Sequence, residues 1–167
     1  MIIWAHGLWG NPNGSKVTAI RDSGIKINSP DFNNMELGER VEVLDNLVSN
    51  EDVTLVGSSY GGLACALVAQ KYPENVNGML LLAPALHLPE SPNDKPEELV
   101  APTNFPITII HSFTDEIVPI SASKDYIKRS GNNLRLIEVE DSHLLENSFT
   151  SITVSYTHLT LPTIGCV

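Results

Sequence analysis

The run Val53-Thr54-Leu55-Val56-Gly57-Ser58-Ser59-Tyr60-Gly61-Gly62 constrains the fold of this chain more than any other stretch. Its first half is apolar without alternation, the pattern of a strand covered on both faces, and such strands belong to parallel sheets flanked by helices. Its second half crowds small residues, a serine, an aromatic and two glycines into one bend, so the strand must feed a helix through a cramped turn. Within it, Gly57-Ser58-Ser59-Tyr60-Gly61 fits G-x-S-x-G, in which the serine projects its hydroxyl above the sheet edge. A side chain two residues either side of that serine would collide with neighbouring backbone, which is the steric reason for the glycines. Ser59 is therefore the candidate nucleophile. A glycine-serine turn that closes a buried strand is also a common structural feature, so the motif gains weight only from partners elsewhere in the chain.

The rest of the chain repeats the alternation of strand and helix. Met1 to Ala5 reads as a strand that stops at the turn formers His6-Gly7-Leu8-Trp9-Gly10-Asn11-Pro12-Asn13-Gly14. Ser15 is placed to cap a helix from Lys16 to Asp22, and Ile25 to Asn28 follows as a second extended run. Leu37, Val41, Leu44, Leu47 and Val48 fall at helical spacing between Glu36 and Asn50. After the serine turn, Leu63 to Tyr72 is rich in Ala and Leu and predicts a deeply buried helix that stops at Pro73. Gly78 to Ala83, Pro106 to His111 and Asn133 to Val139 read as further strands, with a helix from about Ser121 to Ser130 closed by Gly131. His87 to Asn104 breaks the rhythm: Pro89, Pro92, Pro96 and Pro102 lie among acids and amides, an excursion of the length associated with lids and functional loops. About six strands alternating with helices predict an α/β fold with a mostly parallel sheet, whose sites gather at the carboxyl ends of the strands.

With 167 residues, the chain is long enough for one domain with a real core and too short for two. The net charge of -10, with no cluster of Lys or Arg, argues against a nucleic-acid or anionic-membrane partner and for a small or neutral one. No apolar run approaches the roughly 20 residues that cross a bilayer, and the start lacks the basic flank of a signal peptide, so a soluble, cytoplasmic protein is expected. Cys65 and Cys166 offer neither a disulfide framework nor metal-ligand spacing, and Cys65 reads as a buried, inert thiol. No motif calls for a cofactor or a metal; the serine turn lacks the G-x-G-x-x-G spacing and the lysine of a phosphate-binding loop.

A serine hydroxyl needs a positioned base to become nucleophilic, and the base needs a third group to hold its tautomer. Asp115 lies just beyond the strand that ends at His111, and His143 just beyond the strand that ends at Val139, which gives the order Ser, Asp, His. His143 is the candidate base and Asp115 its orienting acid. Asp141 and Glu116 compete for the acid role, and both are expected to face solvent. His87, His111 and His158 read as satisfied surface or core histidines, and His6 as a structural residue bonded within its own loop. An oxyanion would find its donors in the backbone N-H groups of Tyr60 and Leu8. Trp9 and Tyr60 are candidates for lining an acyl pocket, with packing the equal alternative for Trp9.

Taken together, His6-Gly7-Leu8-Trp9-Gly10, Gly57-Ser58-Ser59-Tyr60-Gly61-Gly62, Leu81-Leu82-Ala83-Pro84, His111-Ser112-Phe113-Thr114-Asp115-Glu116-Ile117-Val118-Pro119 and Asp141-Ser142-His143 resemble the α/β-hydrolase family, over roughly Met1 to Asn147. The resemblance implies the α/β-hydrolase fold with a minimal cap and an oxyanion hole at Leu8 and Tyr60. The continuation Pro12-Asn13-Gly14-Ser15-Lys16 resembles the small single-domain esterases and acyl-thioesterases. What this implies is a serine hydrolase that cleaves small ester or thioester substrates through an acyl-enzyme on Ser59. A noncatalytic ligand-binding module of the same fold is the alternative. The chain departs from larger members in lacking the first two antiparallel strands and a full cap domain, and in carrying Ser58 where a histidine often precedes the nucleophile.

The end of the chain is different. Val154-Ser155-Tyr156-Thr157-His158-Leu159-Thr160-Leu161-Pro162-Thr163 resembles the translation of a sequencing-library transposon adapter. The expectation is a single domain over 1–153, cut short at its C-terminal side with the natural chain running past about Thr153, and a non-native tail over 154–167.

Overall fold

A computed structural model describes residues 1–131, 133–148 and 152; the expectations for the 154–167 tail, His158 and Cys166 lie outside them. Strands β1 (Ile2–Ala5), β2 (Val53–Ser58), β3 (Val76–Leu82), β4 (Ile107–Ser112) and β5 (Leu134–Val139) stand side by side in that order, and every neighbouring pair is parallel. Helices α1 (Ser15–Asp22) and α2 (Leu37–Val48) join β1 to β2, α3 (Tyr60–Lys71) joins β2 to β3 and α4 (Ser121–Arg129) joins β4 to β5. This is the expected parallel α/β sheet, with five strands among the described residues. The Ile25 to Asn28 run is no strand: it touches β1 through one bridge, where Trp4 N-H donates to Asn28 O at 2.7 Å and Asn28 N-H to Ile2 O at 2.8 Å. Pro30 follows two residues later and has no N-H to continue the ladder.

Helix boundaries differ from the sequence reading in two informative places. Gly14, not Ser15, is the N-cap of α1, and no side chain caps it. Helix α3 starts at Tyr60 rather than Leu63, because Gly61 and Gly62 serve close approach instead of breaking the helix. A Cβ on Gly61 would stand 2.2 Å from the Ala5 carbonyl oxygen and 2.5 Å from that of His6. The mouth of the sheet thus brings α3 onto the end of β1 with backbone touching backbone.

Alternate residues of each strand supply two core layers, as the two-residue side-chain period demands. Ile3, Val53, Leu55, Met79, Leu81, Ile107 and Ile109 pack with α2, α3 and Tyr126 of α4. Trp4, Val56, Leu80, Leu82 and Ile110 pack on the opposite face with Val17 and Ile20 of α1, and with Leu145. Both faces are covered, hence the unbroken apolar runs. The 87–104 excursion is mostly tied down: Arg129 donates to Leu99 O at 2.6 Å and Pro96 O at 2.8 Å, Ala101 N-H to Ser130 Oγ at 2.9 Å, and Asn104 Nδ2 to Pro73 O at 2.7 Å.

Contrasting glycine substitutions test this packing. Gly61→Ala drives a methyl into immovable backbone and should cost roughly 3 kcal/mol or more, whereas Gly38→Ala on α2 meets nothing within 4 Å and should stabilise by about 0.5–1 kcal/mol. Denaturant midpoints read both; a Gly61→Ala protein as stable as wild type would contradict the β1–α3 contact.

Candidate active site

The turn between β2 and α3 holds Ser59 at φ 53°, ψ -116°, a left-handed backbone that a serine adopts only under constraint. The constraint is visible. Ser59 N-H donates to Leu82 O at 2.9 Å, and Ser59 O accepts from Ala85 N-H at 3.0 Å and Leu63 N-H at 3.2 Å. The backbone is fixed on both sides, so the side chain points out over the carboxyl ends of the strands.

Two loops converge on that side chain. The loop after β4 carries Asp115, whose side chain is 0% exposed, and the loop after β5 carries His143. Asp115 Oδ2 lies 2.7 Å from His143 Nδ1, and His143 Nε2 lies 3.0 Å from Ser59 Oγ. A carboxylate only accepts hydrogen bonds, so Nδ1 carries the proton and Nε2 is left to accept from the serine hydroxyl. Asp115 Oδ1 accepts from the N-H groups of Ile117 at 2.9 Å and Val118 at 2.8 Å. Burial alone would raise this carboxyl, but the His143 hydrogen bond and the Val118 and Ile117 N-H groups outweigh it, and its pKa lies below the ordinary value.

His111 stands behind Asp115, fully buried. Its Nε2 is 2.9 Å from Val118 O and 3.3 Å from Asp115 Oδ2, both acceptors, so Nε2 is protonated and Nδ1 accepts from the Ser123 hydroxyl at 2.7 Å. Burial lowers its pKa, which keeps it neutral. The sequence held a signal for this: a histidine inside the apolar strand run Ile107-Thr108-Ile109-Ile110-His111 must find polar partners.

Asp141 corrects an expectation. It does not face solvent; it is 8% exposed and its carboxylate accepts hydrogen bonds from Ser142, Asn147 and Ser148. Polar backbone at the end of a strand needs acceptors, and Asp141 supplies them to the loop that bears His143. Burial raises its carboxyl, and the Ser148 hydroxyl, Ser142 N-H, Asn147 amide and Ser148 N-H more than reverse this, leaving the pKa below the ordinary value. Glu116 is exposed, as expected.

His6 bonds beyond its own loop. Its Nδ1 lies 2.8 Å from Gly7 O, and its Nε2 accepts from Phe32 N-H at 3.0 Å, which fixes the neutral tautomer. Its carbonyl accepts from buried Arg40 at 2.8 Å. Arg40 also donates to Met35 O and Phe32 O, and its guanidinium lies over the Tyr60 ring at 4.8 Å. The Tyr60 phenol donates to Glu90, and burial together with that carboxylate pushes it up to about 12.

Ser59 and His143 open onto a cleft of about 700 Å³, lined also by Leu8, Trp9, Tyr60, His87, Glu90 and Leu144. Among the described residues, neither the Leu8 nor the Tyr60 backbone N-H has an internal acceptor. Trp9 is 84% exposed at the cleft mouth rather than packed into the core, and Leu8, Ile117 and Leu144 expose apolar surface on the same rim. His87 is exposed on the cleft wall, as a surface histidine. Cys65 is buried beneath the turn and burial pushes its thiol up to about 12, the inert state expected. No helix among the described residues is long and apolar enough to cross a membrane.

Comparison with known proteins points one way. The family model described as alpha/beta hydrolase fold matches residues 19–105, a segment that includes Ser59 and stops before Asp115 and His143. No curated protein matches the sequence significantly. Solved structures do match: monoacylglycerol lipase of Paleococcus ferrophilus, at 14% identity over 95% of this chain and 94% of that one with a TM-score of 0.79; and mouse alpha/beta hydrolase domain-containing protein 10, at 20% identity over 95% and 88% with a TM-score of 0.78. Est1E of Butyrivibrio proteoclasticus, solved with ferulic acid bound, matches at 19% identity over 99% of this chain and 89% of that one, with a TM-score of 0.78. At these identities the likeness is one of fold.

The lowered carboxyl groups of Asp115 and Asp141 have a consequence for stability. In acid the native protein binds fewer protons at these sites than the unfolded chain, so the stability they lend is complete above the ordinary carboxylate range and is lost as the pH falls through their native values. Urea midpoints should decline from neutral toward about pH 3, less steeply in Asp141→Asn; equal slopes in the two proteins would contradict this.

Proposed function

Because this chain belongs to the α/β-hydrolase fold family, we propose that it is a serine hydrolase that cleaves carboxylic esters or thioesters of small substrates through an acyl-enzyme on Ser59. The observation that carries the reading is the unbroken contact from Asp115 through His143 to the Ser59 hydroxyl, 2.7 and 3.0 Å long. His143 Nε2 takes the hydroxyl proton as Ser59 Oγ attacks the carbonyl carbon, and Asp115 stabilises the imidazolium that forms. The oxyanion of the tetrahedral adduct is received by the N-H groups of Leu8 and Tyr60, the latter also at the positive end of α3. The adduct collapses as His143 returns the proton to the departing alcohol or thiol. Water, deprotonated by the same nitrogen, then attacks the acyl carbon and releases the acid and free Ser59.

The cleft supports an apolar acyl group. Lys16, Glu36 and Glu90 are the charged members of a mostly apolar lining, and the exposed rim of Leu8, Trp9, Ile117 and Leu144 extends the apolar surface outward from Ser59. Each methylene taken out of water is worth about 0.8 kcal/mol, or roughly fourfold in kcat/KM.

A fluorophosphonate probe separates this function from a noncatalytic binding module. Wild type should label at one site and Ser59→Ala not at all, while Asp115→Asn should lose on the order of 10³–10⁴ in kcat through the wrong imidazole tautomer. Labelling that persists in Ser59→Ala, or none in wild type, would sink the proposal. In a series of p-nitrophenyl esters, kcat/KM should climb from acetate to hexanoate, and Trp9→Ala should flatten the climb; a series that falls with chain length would contradict the acyl assignment of the cleft.

A further inference from the structure

Asp141 takes no part in the chemistry above, yet its carboxylate accepts five hydrogen bonds. Oδ1 accepts from Ser142 N-H at 2.8 Å and Asn147 Nδ2 at 3.1 Å; Oδ2 accepts from Asn147 N-H at 2.9 Å, Ser148 N-H at 2.8 Å and Ser148 Oγ at 2.8 Å. These donors lie on both sides of His143, so the carboxylate ties the start of the histidine loop to its end. The backbone of Asp141 reaches the other way. Its N-H donates to Ser112 Oγ at 3.1 Å, and its carbonyl accepts from Ser112 Oγ at 2.6 Å and Thr114 Oγ1 at 2.9 Å. Ser112 and Thr114 shape the loop that presents Asp115, whose N-H donates to Ser112 O at 3.3 Å.

We propose that Asp141 is a positioning residue for the Ser59, Asp115 and His143 site, a clasp that sets the histidine loop against the aspartate loop so that the imidazole spans both partners. The inference rests on the hydrolase reading of that site. A reason for the clasp is present in the loop itself. Leu145 sits at φ 54°, in the left-handed region that L-residues other than Asn and Asp avoid, and its N-H closes a turn onto Ser142 O at 3.0 Å. Such a turn persists only where its surroundings over-determine it. Leu145 is buried in the sheet core and Asp141 anchors the polar side, so the strained turn is held from below and from behind.

The chemistry of the clasp requires a carboxylate. Five donors converge on two oxygens, and a carboxylate has acceptor sites for all of them and no hydrogen of its own. An asparagine would turn an NH₂ toward N-H donors on one side and release at least two of the five bonds. A buried donor left unpaired favours loop rearrangement, and a shift of about 1 Å in a general base costs on the order of 10²-fold in rate. Among the described residues Asp141 makes no direct ion pair, and Lys16 feels both Asp141 and Glu146 through space.

The test is Asp141→Asn beside a second variant, Asn147→Ala/Ser148→Ala, which removes two side-chain donors and keeps the backbone ones. On p-nitrophenyl butyrate, Asp141→Asn should lose about 10²-fold in kcat with KM within about twofold of wild type, and the double variant about tenfold with the same split. Independently of turnover, the downfield proton resonance of His143 Nδ1-H bonded to Asp115 should vanish or broaden in Asp141→Asn and persist in wild type. Near-ultraviolet circular dichroism establishes that each variant is folded. Folded Asp141→Asn with wild-type kcat and an intact resonance overturns the inference, as does a loss confined to KM. Should Asp141→Asn not fold, wild-type kcat in the double variant overturns it. A wild type that neither turns over the ester nor labels with a fluorophosphonate refutes the hydrolase reading instead, and the resonance still decides whether Asp141 positions His143.

Discussion

The close approach of α3 to the end of β1 is the constraint on which the rest of the site depends. Gly61 leaves no room for even a methyl group against the Ala5 carbonyl, so the helix can begin immediately after Ser59 and directly above the sheet. That contact sets three things at once. It forces the Ser59 backbone into its left-handed turn, it places the Tyr60 N-H at the exposed end of a helix, and it brings the Gly7 and Leu8 backbone alongside the same point. A looser packing there would let the strain at Ser59 relax and disperse all three.

Around this rigid corner the protein arranges polar groups in two separate networks. Asp115, His111 and Ser123 form a buried chain behind His143, in which Val118 O and Asp115 share the His111 Nε2 hydrogen and both tautomers are determined. On the other side, Arg40 is buried beneath the cleft and is satisfied by three backbone carbonyls and two aromatic faces rather than by a carboxylate. It braces the carbonyl of His6, and with it the loop that carries Leu8. The Tyr60 to Glu90 hydrogen bond then joins the residue after Ser59 to the start of the 87–104 excursion, which is why that segment behaves as a wall of the cleft while its remainder is bound to α3 and α4.

Much of this was legible in the sequence because it is local. Unbroken apolar runs and the glycine spacing about Ser59 require a parallel sheet and a sharp turn whatever the tertiary contacts, and Asp115 and His143 stand just past strand ends where loops of such a sheet meet. The features that escaped are the ones set by long-range partners. Ile25 to Asn28 has the apolar character of a strand, but Pro30 removes the ladder after one bridge. Asp141 looks like an ordinary surface acid until the chain folds back to bring Asn147 and Ser148 onto it. His111 differs from a plain core histidine only through its position behind Asp115, which depends on the conformation of the whole 111–118 loop. Arg40, which no sequence pattern singles out, is buried because the carbonyls of His6, Phe32 and Met35 face it.

The central claim is that Ser59, activated by His143, carries the acyl group during turnover. Rapid acid quench of the protein with p-nitrophenyl butyrate, followed by intact-mass and peptide mass spectrometry, tests it most directly. The account predicts a butyryl adduct on the peptide that contains Ser59, located at Ser59 itself, which forms and decays with p-nitrophenol release and is absent in Ser59→Ala. An adduct on Ser58 or elsewhere, or turnover with no adduct at any time point, would contradict it.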